Sequence, residues 1–245
     1  MMHSLCRPVC VVLMLSLMLC SNPALADRDR SLVPHTADYR IKISLLEGRL
    51  TTTLEKTADG YRAESLIRAT GLSQVFANGE IRENSEFSLS SEGLRPRHFL
   101  SNDSLSREPE TVDFTFDWDF GTVTGHWNGE PFENQFDGIL HDRVSLQYGL
   151  MMNLFNEVQQ EQYFLQDAEK LKSLSIRNIG NETLTVPFGQ FEAIGIQHQA
   201  DGSSRQTTLW VVEELGYLPV IIEQRRKGKL QVRAVLLDYR PDPTH

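Results

Sequence analysis

Hydrophobic and polar residues alternate along most of this chain from Ala37 onward. In one segment polar residues, three of them aspartates, separate five large apolar residues: Val112, Phe114, Phe116, Trp118 and Phe120. Because neighbouring side chains of a strand point to opposite faces of a sheet, this period of two predicts antiparallel strands that are buried on one face. About a dozen such segments follow one another, separated by turns that contain glycine.

The first hairpin shows how the turns are predicted. One face of its opening strand carries Tyr39, Ile41, Ile43 and Leu45. Glu47-Gly48 is then the predicted turn, and residues 49–57 are the returning strand. Asp59-Gly60 is a stronger hairpin signal, since this pair favours the tight turn that joins antiparallel strands.

One segment has a different period. Its apolar residues recur at spacings of four, four, three and four: Leu140, Val144, Tyr148, Met151 and Phe155. This spacing places them on one face of an amphipathic helix over about 141–156. His141 or Asp142 is the predicted N-cap, and Gly149 disfavours the helix by ~1 kcal/mol relative to alanine.

Many short strands and a single helix predict an all-β fold, either an antiparallel barrel or a curled half-barrel of about a dozen strands. The sequence contains no proline-rich linker and no low-complexity tract. Residues 27–245 are therefore predicted to form one domain, which is long enough to bury a core without disulfides.

Residues 1–26 have the features of a secretory signal peptide. One basic residue, Arg7, precedes an apolar run over residues 11–20, and Ala24-Leu25-Ala26 supplies the small residues of a cleavage site. The apolar run is shorter than the ~20 residues that a transmembrane helix needs. We therefore predict export, cleavage after Ala26 and no stable membrane span.

All three cysteines lie inside the predicted signal peptide, so the mature chain would be free of cysteine. The last of them, Cys20, is an alternative lipidation site. The bulky Leu19 in front of it disfavours that alternative, and we expect a mature protein without a lipid anchor.

The chain is acidic, with a formal charge of −9 at pH 7. The predicted signal peptide contains one arginine and no acidic residue, so its removal makes the mature chain more negative. Nucleic acids and anionic membranes attract clustered lysine and arginine. This charge predicts that neither of them is the main partner.

Several short motifs occur in an order typical of one family. They are a Tyr39…Gly48 opening, Asp59-Gly60-Tyr61, Phe116-Asp117-Trp118, Asp142-x-x-Ser145-x-x-Tyr148, Val186-Pro187-Phe188-Gly189 and Leu209-Trp210-Val211 with Leu218-Pro219-Val220. Over about residues 39–239 the chain resembles the exported bacterial proteins grouped as domain of unknown function 3108. The resemblance implies a Gram-negative periplasmic protein with a β-rich fold. It implies no catalytic residue, because the family has no established activity.

One turn departs from that family pattern. After Leu165 the chain reads Asp167-Ala168-Glu169, where the resemblance leads us to expect an Asp-Gly pair. The hairpin at this position is therefore less clearly defined by the sequence than the others.

Few residues form a candidate catalytic group. Asp142 and Ser145 share a helix face and could join a histidine in a nucleophilic triad, but the sequence has no G-x-S-x-G elbow. We interpret Asp142 as a helix cap and Ser145 as a first-turn residue. The histidines are isolated, without H-x-H or H-E-x-x-H spacing, so we predict no metal and no cofactor. A carboxylate pair for sugar hydrolysis stays open, because the fold sets the distance between two acids.

Large apolar side chains are the candidates for lining a ligand cavity under the helix. They are Phe114, Phe116, Trp118, Trp127, Tyr148, Met151, Met152, Phe155 and Trp210. Small barrels can hold one ligand, and methionine suits an adaptable apolar site. The alternative is that the same residues fill a solid core, which is the commoner role of large apolar side chains.

Residues 225–229 read Arg-Arg-Lys-Gly-Lys and form the basic cluster of the chain. The glycine predicts a hairpin tip there. Such a tip is either a solvated turn or a contact for phosphate groups or an acidic partner.

Three functions are consistent with the sequence. The leading hypothesis is a periplasmic barrel, not an enzyme, that binds a hydrophobic or amphipathic ligand such as a lipid, with the helix as a plug or lid. The first alternative is an interaction protein for envelope assembly with a solid core, whose protein partner is not identified. The second alternative is a hydrolase of envelope glycans or lipids. Fold analogy alone does not decide among them.

Overall fold

The computed structural model describes residues 32–160 and 162–242. The predicted signal peptide, its cleavage site after Ala26 and the alternative at Cys20 lie outside the described residues. Export and cleavage therefore stay predictions.

Fifteen strands of the described residues join in one sheet. They are β1 His35–Ile43, β2 Leu46–Thr57, β3 Gly60–Ala69, β4 Glu80–Ser90, β5 Gly93–Asp103, β6 Glu110–Asp117, β7 Thr122–Trp127, β8 Glu130–Gln135, β9 Leu140–His141, β10 Gln162–Asp167, β11 Lys170–Val186, β12 Gly189–Ala200, β13 Arg205–Val212, β14 Leu218–Arg226 and β15 Lys229–Pro241. The α-helix α1 spans Ser145–Phe155, and a short 3-10 helix spans Gly71–Val75.

Most strands pair with the next strand along the chain, as in a meander. The exception is β8, which does not pair with β9. In addition β1 pairs with β15, and β9 pairs with β10 in parallel. The edge strands β8 and β9 leave the sheet open. Side chains bridge that opening: the Asn134 amide on β8 donates to Gln166 Oε1 at 3.2 Å and to the Glu169 carbonyl at 3.0 Å. The prediction of a β-rich curled half-barrel with one helix is confirmed.

The helix α1 lies between the two halves of the curled sheet. Its face with Tyr148 and Met151 packs on a cluster from β3 to β7. Its other face, with Leu146 and Leu150, packs on a cluster from β10 to β13. The sequence therefore predicts one of the two apolar faces of α1, and the structure shows the other. A helix with apolar residues all round is a core element.

A third cluster packs between β1, β2 and the strands from β11 to β15. Tyr39 on β1 is fully buried there, and its hydroxyl donates to the Pro219 carbonyl at 2.9 Å. This bond satisfies the one polar group that the tyrosine brings into the core. The cluster joins the first strand to the last.

The first turn differs from the sequence prediction. It lies at Ser44-Leu45, and Gly48 sits inside β2 opposite Ile41. A Cβ at Gly48 would lie 2.5 Å from the Arg68 carbonyl oxygen of β3, so the glycine allows close strand contact. Ser44 adopts the turn conformation instead, with φ of 55°.

The strand with five apolar residues also ends earlier than predicted. β6 stops at Asp117, whose carboxylate accepts the backbone N–H groups of Asp119 and Phe120, each at 3.1 Å. An aspartate that bonds to the backbone two and three residues on forms a turn. Phe120 therefore stands in solvent, while Val112, Phe114 and Phe116 are buried as predicted.

The strand registers divide the turns between two ends of the sheet. The end that we call the Leu45 end carries the turns 44–45, 70–79, 168–169, 201–204 and 227–228. The opposite end, which we call the Phe120 end, carries the turns 58–59, 91–92 and 118–121. The helix N-terminus and the predicted basic hairpin tip are both connected to the Leu45 end.

Candidate ligand-binding site

The segment before α1 is fixed by a buried aspartate. Asp142 Oδ1 accepts the backbone N–H groups of Val144 at 2.9 Å and Ser145 at 2.8 Å, and its Oδ2 accepts the Ser85 hydroxyl at 2.6 Å. Ser145 Oγ in turn accepts the Asp142 N–H at 2.9 Å. Burial raises the pKa of Asp142, and these donors oppose the rise. The capping interpretation of Asp142 and Ser145 is confirmed.

Gly149 has a packing role in the helix. A Cβ at this position would lie 2.5 Å from Cε1 of the buried His141 ring. His141 Nδ1 has no hydrogen-bond partner among the described residues, and burial lowers the pKa of His141 to about 4. A neutral imidazole therefore fills the space that a side chain at Gly149 would need.

Arg143 connects distant strands through carboxylates. Its guanidinium lies 2.9 Å from Glu83 on β4, 3.3 Å from Glu110 on β6 and 3.5 Å from Asp167 on β10. Its Cζ also lies 5.4 Å from the centroid of the Phe99 ring. Arg143 therefore links β4, β6 and β10, which are not neighbours in the sheet.

A cleft of about 670 Å³ lies beside this arginine, between α1 and strands β10 to β14. Its floor is aliphatic and consists of Leu146, Leu150, Leu165, Leu174, Leu209 and Ile222. Ligand pockets typically have volumes of ~300–1,000 Å³ with mainly apolar walls and a few polar groups. The volume of the cleft lies in this range, but polar and charged side chains make up most of its lining and surround the aliphatic floor.

The rim of the cleft is cationic at the Leu45 end. Arg205 on β13 and Arg226 on β14 line the rim and are direct cross-strand neighbours. Like charges directly opposite each other destabilise a sheet. Neither guanidinium has an ion-pair partner among residues 32–160 and 162–242. The pair is therefore available to an anion.

The other titratable groups of the cleft do not add free charge. Lys172 pairs with Asp167, which also faces Arg143. Burial lowers the pKa of His198 to about 4, so its imidazole is neutral at pH 7. The positive potential at the rim comes from Arg205 and Arg226.

The structure brings most of the nine predicted lining residues together on the other side of the helix. Phe114, Phe116, Tyr148 and Met151 are buried in the cluster of β3 to β7, and Trp118, Trp127, Met152 and Phe155 pack partly buried against it. Trp210 packs against the cluster of β1 and β12 to β15. All nine lie in the described part of the chain, and none of them lines the cleft.

Sequence reasoning missed the residues of the cleft for identifiable reasons. Leu146 and Leu150 have helical spacing and could have been found by reading the second face of α1. Gln147 is half-buried and also lines the cleft. Arg205 and Arg226 become neighbours only through strand register, which no local pattern specifies.

Within the described residues no helix is long and apolar enough to cross a membrane. In the same part of the chain no group of three or more histidine, cysteine, aspartate or glutamate residues could hold a metal ion.

An open antiparallel sheet curled around one core helix defines a β-barrel-like protein. A crystal structure of a β-barrel-like protein of domain of unknown function DUF1849 from Brucella abortus has a similar fold, with a TM-score of 0.56. The two chains are 10% identical over 86% of this chain and 98% of that one, so the likeness concerns the fold alone.

The chain itself belongs to the family described as protein of unknown function (DUF3108), whose model matches residues 36–233. This match confirms the family resemblance found in the sequence motifs. No curated protein matches the chain in sequence.

Proposed function

We propose that this protein is exported to the periplasm and binds an amphipathic, lipid-like ligand with an anionic head group. The observation that carries the proposal is the pair Arg205 and Arg226 above the aliphatic floor of the cleft. The predicted signal peptide supports export. The role is binding, without a catalytic step.

The two parts of the cleft suit the two parts of such a ligand. Each methylene of an alkyl chain that leaves water for the floor contributes ~0.8 kcal/mol. A carboxylate or phosphate between two guanidinium groups gains charge-assisted hydrogen bonds, which are stronger than neutral ones. The anion would also relieve the repulsion between Arg205 and Arg226. A ligand lacking either part would leave half of the site unused.

The aromatic cluster is the less favourable place for that ligand. Phe114 and Tyr148 are almost completely buried in a packed cluster. A ligand among them would have to displace side chains, whereas the cleft already offers space. We therefore propose that the ligand binds on the opposite face of α1, in the cleft.

Binding of a fluorescent fatty acid tests the proposal. Arg205→Gln and Arg226→Gln should each weaken binding of the acid by roughly 10-fold, in keeping with ~1.5–3 kcal/mol for a hydrogen bond to a charged group. The neutral methyl ester of the same acid should bind weakly and respond little to either change. Arg177→Gln is the matched control, because Arg177 is an exposed arginine outside the cleft.

Two results would contradict the proposal. One is unchanged fatty-acid binding in both cleft variants. The other is wild-type protein that binds neither the acid nor its ester. The second result would favour the alternative of an interaction protein for envelope assembly.

A further inference from the structure

Several large apolar side chains are exposed to solvent at the Leu45 end of the sheet. The exposed fractions are 89% for Leu45, 84% for Leu72, 77% for Val75 and 83% for Phe76. Leu45 lies in the turn between β1 and β2, and the other three lie in or next to the 3-10 helix between β3 and β4. Single exposed apolar residues are common, but a group of this kind marks an interaction site.

Backbone and side-chain hydrogen bonds join these turns into one surface. The Glu47 N–H donates to Ser73 Oγ at 2.9 Å, and the Thr70 N–H donates to the Glu47 carbonyl at 3.0 Å. On the other side, the Ser44 N–H donates to the Gln231 carbonyl at 2.8 Å. We call the surface formed by residues 44–46, 71–76 and 226–230 the end ridge.

The end ridge is positively charged next to its apolar side chains. Arg226, Lys227 and Lys229 are exposed, and their side chains have no ion-pair partner among the described residues. Two acids lie beside the apolar turns: Glu47 is 4.0 Å from Lys42, and Glu80 pairs with Arg68 and Arg82. The whole chain is acidic, so this positive charge is local to the end ridge.

We propose that the end ridge docks on the surface of an anionic lipid bilayer, with Leu45, Leu72 and Phe76 inserted among the head groups. Interfacial membrane binding depends on buried apolar area together with attraction between basic residues and anionic lipid. The end ridge supplies both at one end of the molecule. The inference rests on the end ridge and does not require a ligand in the cleft.

The shape of the end ridge favours a bilayer over a folded protein as the occupant. The apolar side chains project from separate turns, and none of Leu45, Leu72 and Phe76 lines the cleft or the neighbouring hollow beside Lys42 and Gln231. A bilayer accepts each projecting side chain independently, whereas a protein partner would need a matching hollow for each one. A flat apolar patch would have pointed to a protein interface instead.

Docking in this orientation also brings the cleft to the lipid. Arg226 belongs both to the end ridge and to the rim of the cleft. The Lys227 N–H donates to the Ser204 carbonyl at 3.0 Å, which fixes the basic hairpin against the turn that carries the rim. A lipid-like ligand would have a short route between the bilayer and the cleft.

Co-sedimentation with vesicles tests the apolar part of the end ridge. The exported protein should bind vesicles of equal parts phosphatidylglycerol and phosphatidylethanolamine, and should bind phosphatidylcholine vesicles weakly. The double variant Leu72→Ser, Phe76→Ser should bind the anionic vesicles at least roughly 10-fold more weakly, because two apolar contacts are lost. Phe120→Ser should bind like wild type, because Phe120 is equally exposed at the opposite end.

The charged part needs a separate pair of variants. Lys227→Gln with Lys229→Gln should weaken binding to anionic vesicles by roughly 5-fold per lysine, and added salt should reduce the difference from wild type. Lys56→Gln is the control, since Lys56 is exposed near the Phe120 end. All variants share one N-terminal segment, so their differences report the end ridge.

Three outcomes would overturn the inference. One is equal vesicle binding by wild type and by both ridge variants. Another is preference for phosphatidylcholine over anionic lipid. The third is a wild-type dimer in analytical ultracentrifugation that Phe76→Ser abolishes while vesicle binding is absent, which would identify a second copy as the occupant. Fatty-acid binding should be unchanged in Leu72→Ser, Phe76→Ser, so failure of docking is separable from failure of the cleft.

Discussion

The two faces of α1 meet different surroundings. Towards β3 to β7, aromatic rings pack closely: the Tyr148 and Phe87 ring centroids are 5.5 Å apart, and those of Phe99 and Phe114 are 5.0 Å apart. Towards β10 to β14, aliphatic side chains line a cleft of about 670 Å³. Stacked and tilted rings fill space at short distances. The comparison indicates that the room for a ligand lies on the aliphatic side of the helix.

The largest expected difference between the two sides is in stability. Tyr148→Ala should lower the free energy of unfolding by ~3–5 kcal/mol, because it leaves a cavity in a packed cluster. Leu150→Ala borders existing space and should cost nearer ~2 kcal/mol. Chemical denaturation measures both values. Equal losses would mean that the two sides are packed alike.

The next largest effect concerns pH and the buried His141. Because burial lowers the pKa of His141 from 6.5 to about 4, the unfolded chain takes up its proton first as the pH falls. The contribution of the neutral His141 ring to the free energy of unfolding is therefore fully present above pH ~6.5. It declines as the pH falls towards ~4, by up to about 3 kcal/mol. His141→Asn should remove this contribution when unfolding is measured across that range, while His35 and His198, whose pKa values burial also lowers, contribute equally in variant and wild type.

Two other groups define the control for the pH experiment. Burial raises the pKa of Asp142, which changes stability in the opposite direction, so the informative quantity is the difference between variant and wild type. His126→Asn replaces an exposed histidine and should leave the curve as it is. A His141→Asn curve that runs parallel to the wild-type curve from pH 7 to pH 4 would argue that His141 is open to solvent.

Gly149→Ala tests whether packing outweighs helix propensity in α1. Alanine favours a helix over glycine by ~1 kcal/mol, but its Cβ would lie 2.5 Å from the His141 ring. Overpacking of this kind costs ~1–3 kcal/mol, so thermal unfolding should show a net loss. The double variant with His141→Ala should recover part of it. A more stable Gly149→Ala protein would contradict the packing role.

The smallest expected effect on stability concerns the arginine pair at the rim of the cleft. Arg205→Gln removes one of two like charges that face each other across β13 and β14. It should raise the free energy of unfolding by ~0.2–1 kcal/mol while it weakens fatty-acid binding. Denaturation and binding are measured on the same sample. A loss of both stability and binding would indicate a structural role for Arg205.

Much of the local structure follows from the sequence. The helix predicted over about 141–156 is observed at Ser145–Phe155, and the alternation that begins at Val112 lies in the strand Glu110–Asp117. These segments have strong periods and clear turn residues at their ends. The two-residue strand Leu140–His141 was not predicted, because its length is too short to show a period.

The errors in turns have a common cause. Glu47-Gly48 has turn composition but lies in a strand, because Gly48 admits the Arg68 carbonyl of a neighbouring strand. Ser44-Leu45 lacks turn composition but forms the turn. In both cases a contact across the sheet outweighs the preference of the local residues.

The sequence by itself determined the alternation of strands, the position of the helix, the capping by Asp142 and the family to which the chain belongs. The tertiary structure decided which face of α1 borders open space and which cations stand together at its rim. The reason is physical: periodicity and capping act over a few residues, whereas the cleft and the end ridge depend on strand register and on curvature of the sheet. Arg205 and Arg226 are 21 positions apart in the chain and become neighbours only through β13 and β14.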